Sequence, residues 1–271
     1  MAELTHLPAT PSSEPLLGFL VAGFVLLALG LIALSARRHG RPPLRSPIST
    51  RRALAWALVY GLCAACFARV LQPALLGRDH SPWLMALGDV IAVTLALFAW
   101  VMVLAERHSL ADYGIRGDRA MRLLFFTLVA IAPLGLYLAL PVTQLATGRA
   151  HVSADSLVFA STYAVLGSAL PEELLFRGYL MSSLGARVRH WARIVVPALA
   201  FTAVRSLRFL PGHDLTSGAW LSYVFGLVLP LGVWWGLVRN LSGGSLWPSL
   251  ISHSVLQFVM ALASASATPA P

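Results

Sequence analysis

Residues Pro171-Glu172-Glu173-Leu174-Leu175-Phe176-Arg177-Gly178-Tyr179 decide how this chain is read, because they set two carboxylates and a guanidinium at the end of an otherwise apolar run. A charged side chain at the centre of a spanning helix costs about 2.5–3.5 kcal/mol on insertion scales, so adjacent glutamates at membrane depth make a candidate site. Helical geometry turns Glu172 roughly 100° away from Glu173. It also sets Arg177 four residues beyond Glu173, the order in which an acid and a base pair well on one helix face. Glu173 is therefore expected to be neutralised by Arg177. Glu172 looks to another face and must find its partner on a neighbouring helix or on water. The plainer alternative is that both acids mark the cytoplasmic end of a span.

Of 271 residues, 58% are hydrophobic and 11% charged, with a mean hydropathy of +0.75. A soluble domain carries about a quarter of its residues charged. The fold class read from this is all-α, a polytopic membrane bundle. All 20 basic residues are arginine, so the net charge of +9 is fixed charge. Its placement in loops between apolar runs reads as membrane topology, and no nucleic-acid partner is expected. Cys63 and Cys66 form a C-x-x-C spacing inside an apolar run and read as packing, since a structural zinc site would need two more ligands at suitable spacing and the chain has no other cysteine.

Residues 1–14 are polar and hold no arginine, unlike the basic start of a cleaved signal peptide, and are expected to form a tail outside the cell. The apolar run 16–36 is long enough to cross a bilayer, and Arg37, Arg38, Arg41, Arg45, Arg51 and Arg52 follow it in a loop that should be cytoplasmic. Further apolar runs near 53–76, 84–105, 123–145, 156–175, 194–210, 218–238 and 243–263 predict about eight transmembrane helices in all. Arginine-rich and arginine-poor loops alternate through them. No internal repeat is visible, which argues against a secondary transporter and for one membrane domain. Within the spans, Arg69 and Asp89 fall at similar depth on helices joined by a short loop and are expected to pair. The loop 109–116 reads as a short interfacial element, and 174–193 as an amphipathic continuation along the cytoplasmic face.

Later spans carry three more polar groups. Phe201 and Arg205 lie four apart on one face, and a central arginine needs an anion, for which Glu172 is the natural choice. After Ser242-Gly243-Gly244 the last span brings His253 and Gln257, again four apart on one face.

Glu172-Glu173-Leu174-Leu175-Phe176-Arg177 is an intact EExxxR motif, and Gly244-Ser245-Leu246-Trp247 through His253 is similar to a second one. On these residues the chain resembles the CPBP family of glutamate-dependent intramembrane endopeptidases, which includes type II CAAX prenyl proteases and bacteriocin-immunity relatives. The resemblance spans roughly 105–260. Two positions depart from the family pattern: Arg205 stands where FxxxH has its histidine, and Gln257 where HxxxN has its asparagine. Glutamine keeps the amide donors, whereas arginine cannot accept a proton as histidine can.

Composition and apolar runs predict a polar tail over 1–14, N-terminal transmembrane helices over 15–105 and a C-terminal tail over 264–271, and the resemblance implies a protease core over 106–263. It further implies that Glu172 activates a water against a peptide carbonyl, with Glu173, Arg177, Arg205, His253 and Gln257 completing the catalytic group. The expected substrate is a membrane-associated protein or peptide, of CAAX-like, lipidated or sorting-tail type. No cofactor and no bound metal are expected. The location expected is a bacterial cytoplasmic membrane, with the site toward the cytoplasmic leaflet. The competing readings are a catalytically silent relative that binds partners or confers immunity, with Glu172 and Arg205 locked as an ion pair, and a transporter or channel, for which these spans hold too few polar residues.

Overall fold

A computed structural model describes residues 49–75, 82–117, 119–147, 152–185, 188–208 and 217–266. The described residues are helical and contain no strand. Among the described residues seven helical segments follow one another: α1 (Thr50–Leu75), α2 (Pro82–Glu106), α3 (120–146), α4 (154–184), α5 (His190–Arg208), α6 (Ser217–Leu241) and α7 (Trp247–Ser266). A 3-10 turn at Leu110–Tyr113 joins α2 to α3, on the loop read as an interfacial element. Five of the helices are long and apolar enough to cross a membrane: Thr50–Arg69, Ala86–Glu106, Ala120–Ala139, Ser217–Leu241 and Trp247–Ala265. The run 16–36, counted as the first of eight spans, lies outside the described residues, so the count of eight is not established.

Outward faces of these helices carry Leu58, Leu62, Val90, Leu97, Val101 and Leu104, all exposed, as in a bundle whose solvent is lipid. Inward faces are lined with small residues where helices approach closely. A Cβ at Gly61 of α1 would stand 2.8 Å from Val204 of α5, and Cβ atoms at Gly232 and Gly236 of α6 would stand 3.2 Å from Phe201 and Ile194 of the same helix. α5 is thus gripped on two sides by helices that present no side chain at the crossing, the usual device for helix association in lipid.

α4 is the central element, and every residue from Pro171 to Gly185 is buried. Two expectations change here. The glutamates sit in the interior of α4, not at its end, and 174–184 is core, not an interfacial continuation. The helix is also wider than an α-helix in two stretches. Leu170 donates its N–H to Val165, and Met181 to Phe176, each five residues back, across π-helical segments Tyr163–Ala169 and Glu173–Leu180. α6 repeats the pattern, with Leu229 donating to Val224 after the π segment Ser222–Val228.

Proline supplies a local reason. Pro171 and Pro230 each come two residues after the end of a π segment, and a proline ring clashes with the carbonyl four residues back, so a widened turn relieves the contact. In α6 that carbonyl is Gly226, deprived of its helical donor by Pro230, and the Tyr137 hydroxyl of α3 donates to it at 3.0 Å.

Candidate active site

α4 delivers its two acids to different neighbours, as the angle between consecutive positions requires. Oε2 of Glu172 accepts two hydrogen bonds from Arg205 of α5, from Nε at 3.0 Å and from the terminal nitrogen NH2 at 2.8 Å. Its other oxygen, Oε1, faces the hydroxyl of Tyr60 on α1 at 3.4 Å. Glu173 turns to α7, where Oε1 meets Nδ1 of His253 at 3.0 Å and also receives Arg177 at 3.1 Å from one turn along its own helix. Arg177 further donates to the carbonyl of Gly232 at 3.3 Å.

His253 closes the ring between the two acids. A carboxylate can only accept, so Nδ1 of His253 carries the proton toward Glu173. Nε2 then offers a lone pair, and Arg205 lies 3.2 Å away as its donor. Nε2 is also 3.6 Å from Oε2 of Glu172, beyond a direct hydrogen bond. Trp235 of α6 stacks on the imidazole at 4.3 Å, and Phe201 meets it edge-on at 5.8 Å. The Trp235 indole is itself fixed, donating to Ser252 at 3.0 Å, which donates to the carbonyl of Ala130 at 2.9 Å.

Burial makes these pairings obligatory. Glu172, Glu173 and His253 are 0% exposed, Arg177 1% and Arg205 4%. A buried charge is tolerable only when paired and hydrogen-bonded, and two carboxylates with two guanidiniums leave the group without net charge. Aromatic faces add to this, with the Arg177 guanidinium 4.1 Å from the centre of the Phe201 ring.

Of the residues singled out in the sequence, Glu172, Glu173, Arg177, Arg205 and His253 are brought together. Gln257 is one helical turn beyond His253, half-buried, and makes no hydrogen bond with the others among the described residues. Asp89, expected to meet Arg69, has the side chain of Thr162 of α4 beside it. Two contacts were not anticipated. Tyr60 looks like any core tyrosine in an apolar run. Ser168, which accepts a hydrogen bond from Arg205, lies four residues before Glu172 and hence on the same face, a signal that helical spacing could have given.

The donor set does not suit a metal ion. Arg205 points its N–H groups at Oε2 of Glu172 and at Nε2 of His253, the lone pairs a cation would need. No group of three or more His, Cys, Asp or Glu able to hold a metal occurs among the described residues.

Comparison with curated proteins and with solved structures gave no match. A family model, type II CAAX prenyl endopeptidase Rce1-like, matches residues 154–259. The matched stretch begins with α4 and ends inside α7, so it contains the whole cluster apart from Tyr60. The helices that could cross a membrane and a membrane protease family together make this an integral membrane protein. Residues 154–259, which build the cluster apart from Tyr60, are thus similar to the type II CAAX prenyl endopeptidase, Rce1-like, family.

Proposed function

We propose that the protein is a glutamate-dependent intramembrane endopeptidase acting on a membrane-associated protein or peptide. The observation that carries this reading is the asymmetry of Glu172: Arg205 holds Oε2 with two donors, while Oε1 is turned toward Tyr60 at the longer distance of 3.4 Å. A carboxylate gripped through one oxygen keeps a fixed direction for the other. In the proposed reaction Oε1 takes a proton from a water as its oxygen bonds to the scissile carbonyl carbon. The oxyanion that forms is stabilised by the fixed charge of Arg205, which needs no reorganisation in a dry site. As the C–N bond breaks, Glu172 returns the proton to the leaving amine.

Glu173 and Arg177 act through His253 in this scheme. They fix the Nδ1–H tautomer and so keep the Nε2 lone pair aimed at Arg205, which steadies the guanidinium beside Glu172. In this proposal Gln257, one turn further along α7, offers its amide to substrate. The proposed substrates are of CAAX-like, lipidated or sorting-tail type, and the proposed setting is the cytoplasmic leaflet of a bacterial inner membrane.

A second reading rests on the same contacts. If Arg205 only neutralises a buried acid, the protein is a silent binding or immunity relative. Purified protein in lipid vesicles, offered a fluorescent farnesylated peptide, separates the two. The proposal expects cleavage, and a loss of about 10²–10⁴-fold in Glu172→Gln, the range of a missing general base, with folding retained. No cleavage of any lipidated peptide by the parent, together with unfolding of Glu172→Gln, supports the silent reading.

A further inference from the structure

At the end of the bundle where α6 meets α7, four arginines gather. Arg239 of α6 is 3% exposed and Arg193 of α5 is 8% exposed. Arg239 donates to Ser182 at 2.9 Å and weakly to the carbonyl of Tyr113 at 3.4 Å, and Arg193 donates to the side chain of Asn240, the next residue along α6. Both guanidiniums keep a buried Nε with no hydrogen-bonding partner among the described residues. Arg116 joins them from the loop before α3, donating to the carbonyl of Gly243, and the end of Arg122 lies against the same glycine. Among the described residues none of these four has a carboxylate partner at ion-pair distance, and Glu173, the acid of the neighbouring cluster, is already engaged by Arg177 and His253.

The turn is shaped around these groups. Gly114, Gly243 and Gly244 all take positive φ, of 90°, 76° and 91°. A side chain at Gly114 would run into the carbonyl of Gly244, and it would also stand 3.3 Å from the end of Arg239. Leu246 donates its N–H to Gly114 at 2.9 Å, locking the two loops together. Burying guanidiniums side by side with free N–H groups is unfavourable unless an anion completes them.

The level of the site in the membrane says which anion. Trp191, two residues before Arg193, is 52% exposed, and Trp247, at the start of α7, donates its indole N–H to the carbonyl of Arg116 at 3.2 Å while staying 36% exposed. Partly exposed tryptophans mark the headgroup layer, and basic pockets between spanning helices at that layer suit phosphate headgroups. We propose that Arg193, Arg239 and Arg116 form a binding site for the phosphate of an anionic phospholipid, seated between α5, α6 and the 110–117 loop. Phosphate oxygens would accept the unpartnered Nε–H groups, and the acyl chains would lie along the apolar outer face beside Trp191. This site is separate from the Glu172 cluster and stands whether or not that cluster cleaves peptides.

Thermal unfolding of the detergent-solubilised full chain tests it, with phosphatidylglycerol, phosphatidylcholine or inorganic phosphate added. Phosphatidylglycerol should raise the unfolding temperature by roughly 5 °C, and phosphatidylcholine should leave it unchanged. Arg193→Gln should lose most of that shift. Arg239→Gln removes structural hydrogen bonds as well, so Arg116→Gln is the second site variant, expected to lose part of the shift. Arg107→Gln, an exposed arginine outside the cluster, should keep it. An equal shift from inorganic phosphate, lost in the same variants, supports the same phosphate chemistry with a soluble source. A shift of equal size in the parent and in Arg193→Gln, or no shift with any anion, overturns the site. Stabilisation by a short peptide with a free C-terminus, lost on amidation and absent with phosphatidylglycerol, overturns the lipid assignment in favour of a peptide carboxylate.

Discussion

At the scale of the residue, the question is what one arginine does beside one carboxylate. Arg205 occupies the position at which the family motif has histidine, and it binds Glu172 through two donors in a fully buried setting. If its only role is neutralisation, Glu172→Gln leaves a buried cation unpaired and costs about 3–5 kcal/mol of stability. If the pair performs hydrolysis, Arg205→His should retain cleavage and add a dependence on pH near neutrality, because an imidazole titrates there and a guanidinium does not. We expect the second outcome, read as cleavage rate between pH 5.5 and 8.5, and loss of all turnover in Arg205→His with unfolding of Glu172→Gln would count against it. The partnership of Glu172 with Arg205 was legible in the sequence because acids at membrane depth are few and a buried arginine must find one. Tyr60 was not legible, since a hydroxyl on an apolar helix declares a role only once its neighbour across the bundle is known.

At the scale of the element, α4 and α5 place the chemistry and α6 holds it in position. The sequence announces helices and gives their order, but it conceals the π segments, because a widened turn changes hydrogen bonding without changing composition. Pro171 and Pro230 were the available signals, and they show where a helix must give without showing how. The same limit explains why the glutamates were expected at a helix end: charge suggested a boundary, whereas partners on three other helices let the helix continue. Gly236 tests the close crossing of α6 on α5. Its absent Cβ would stand 3.2 Å from Ile194, so Gly236→Val must push α5 outward along with Arg205. Overpacking of this kind costs about 1–3 kcal/mol. The thermal midpoint should fall by roughly 2–5 °C on the scale of a chain this size, while Gly218→Ala, where a Cβ meets nothing within 4 Å, should leave it unchanged.

At the scale of the whole molecule, contacts between loops fix which helix ends lie together. Thr50 at the start of α1 donates to the carbonyl of Ser183 near the end of α4, and Arg52 pairs with Glu106 at the end of α2 at 3.6 Å. The loop before α3 is bonded to the loop before α7 through Gly114 and Leu246, and Arg193 near the start of α5 reaches Asn240 near the end of α6. One end of the bundle therefore collects the starts of α1, α3, α5 and α7 and the ends of α2, α4 and α6. That end holds Arg51, Arg52, Arg107, Arg116, Arg119 and Arg122, and on the positive-inside rule we propose that it faces the cytoplasm. α7 then finishes on the opposite side. We expect a C-terminal alkaline phosphatase fusion to be active, a green fluorescent protein fusion at the same point to be dark, and a cysteine replacing exposed Arg119 to react with an impermeant thiol reagent only after the membrane is opened. A fluorescent C-terminal fusion would invert the molecule and put the Arg193–Arg239 site on the outer leaflet, where the excess of arginine has no explanation.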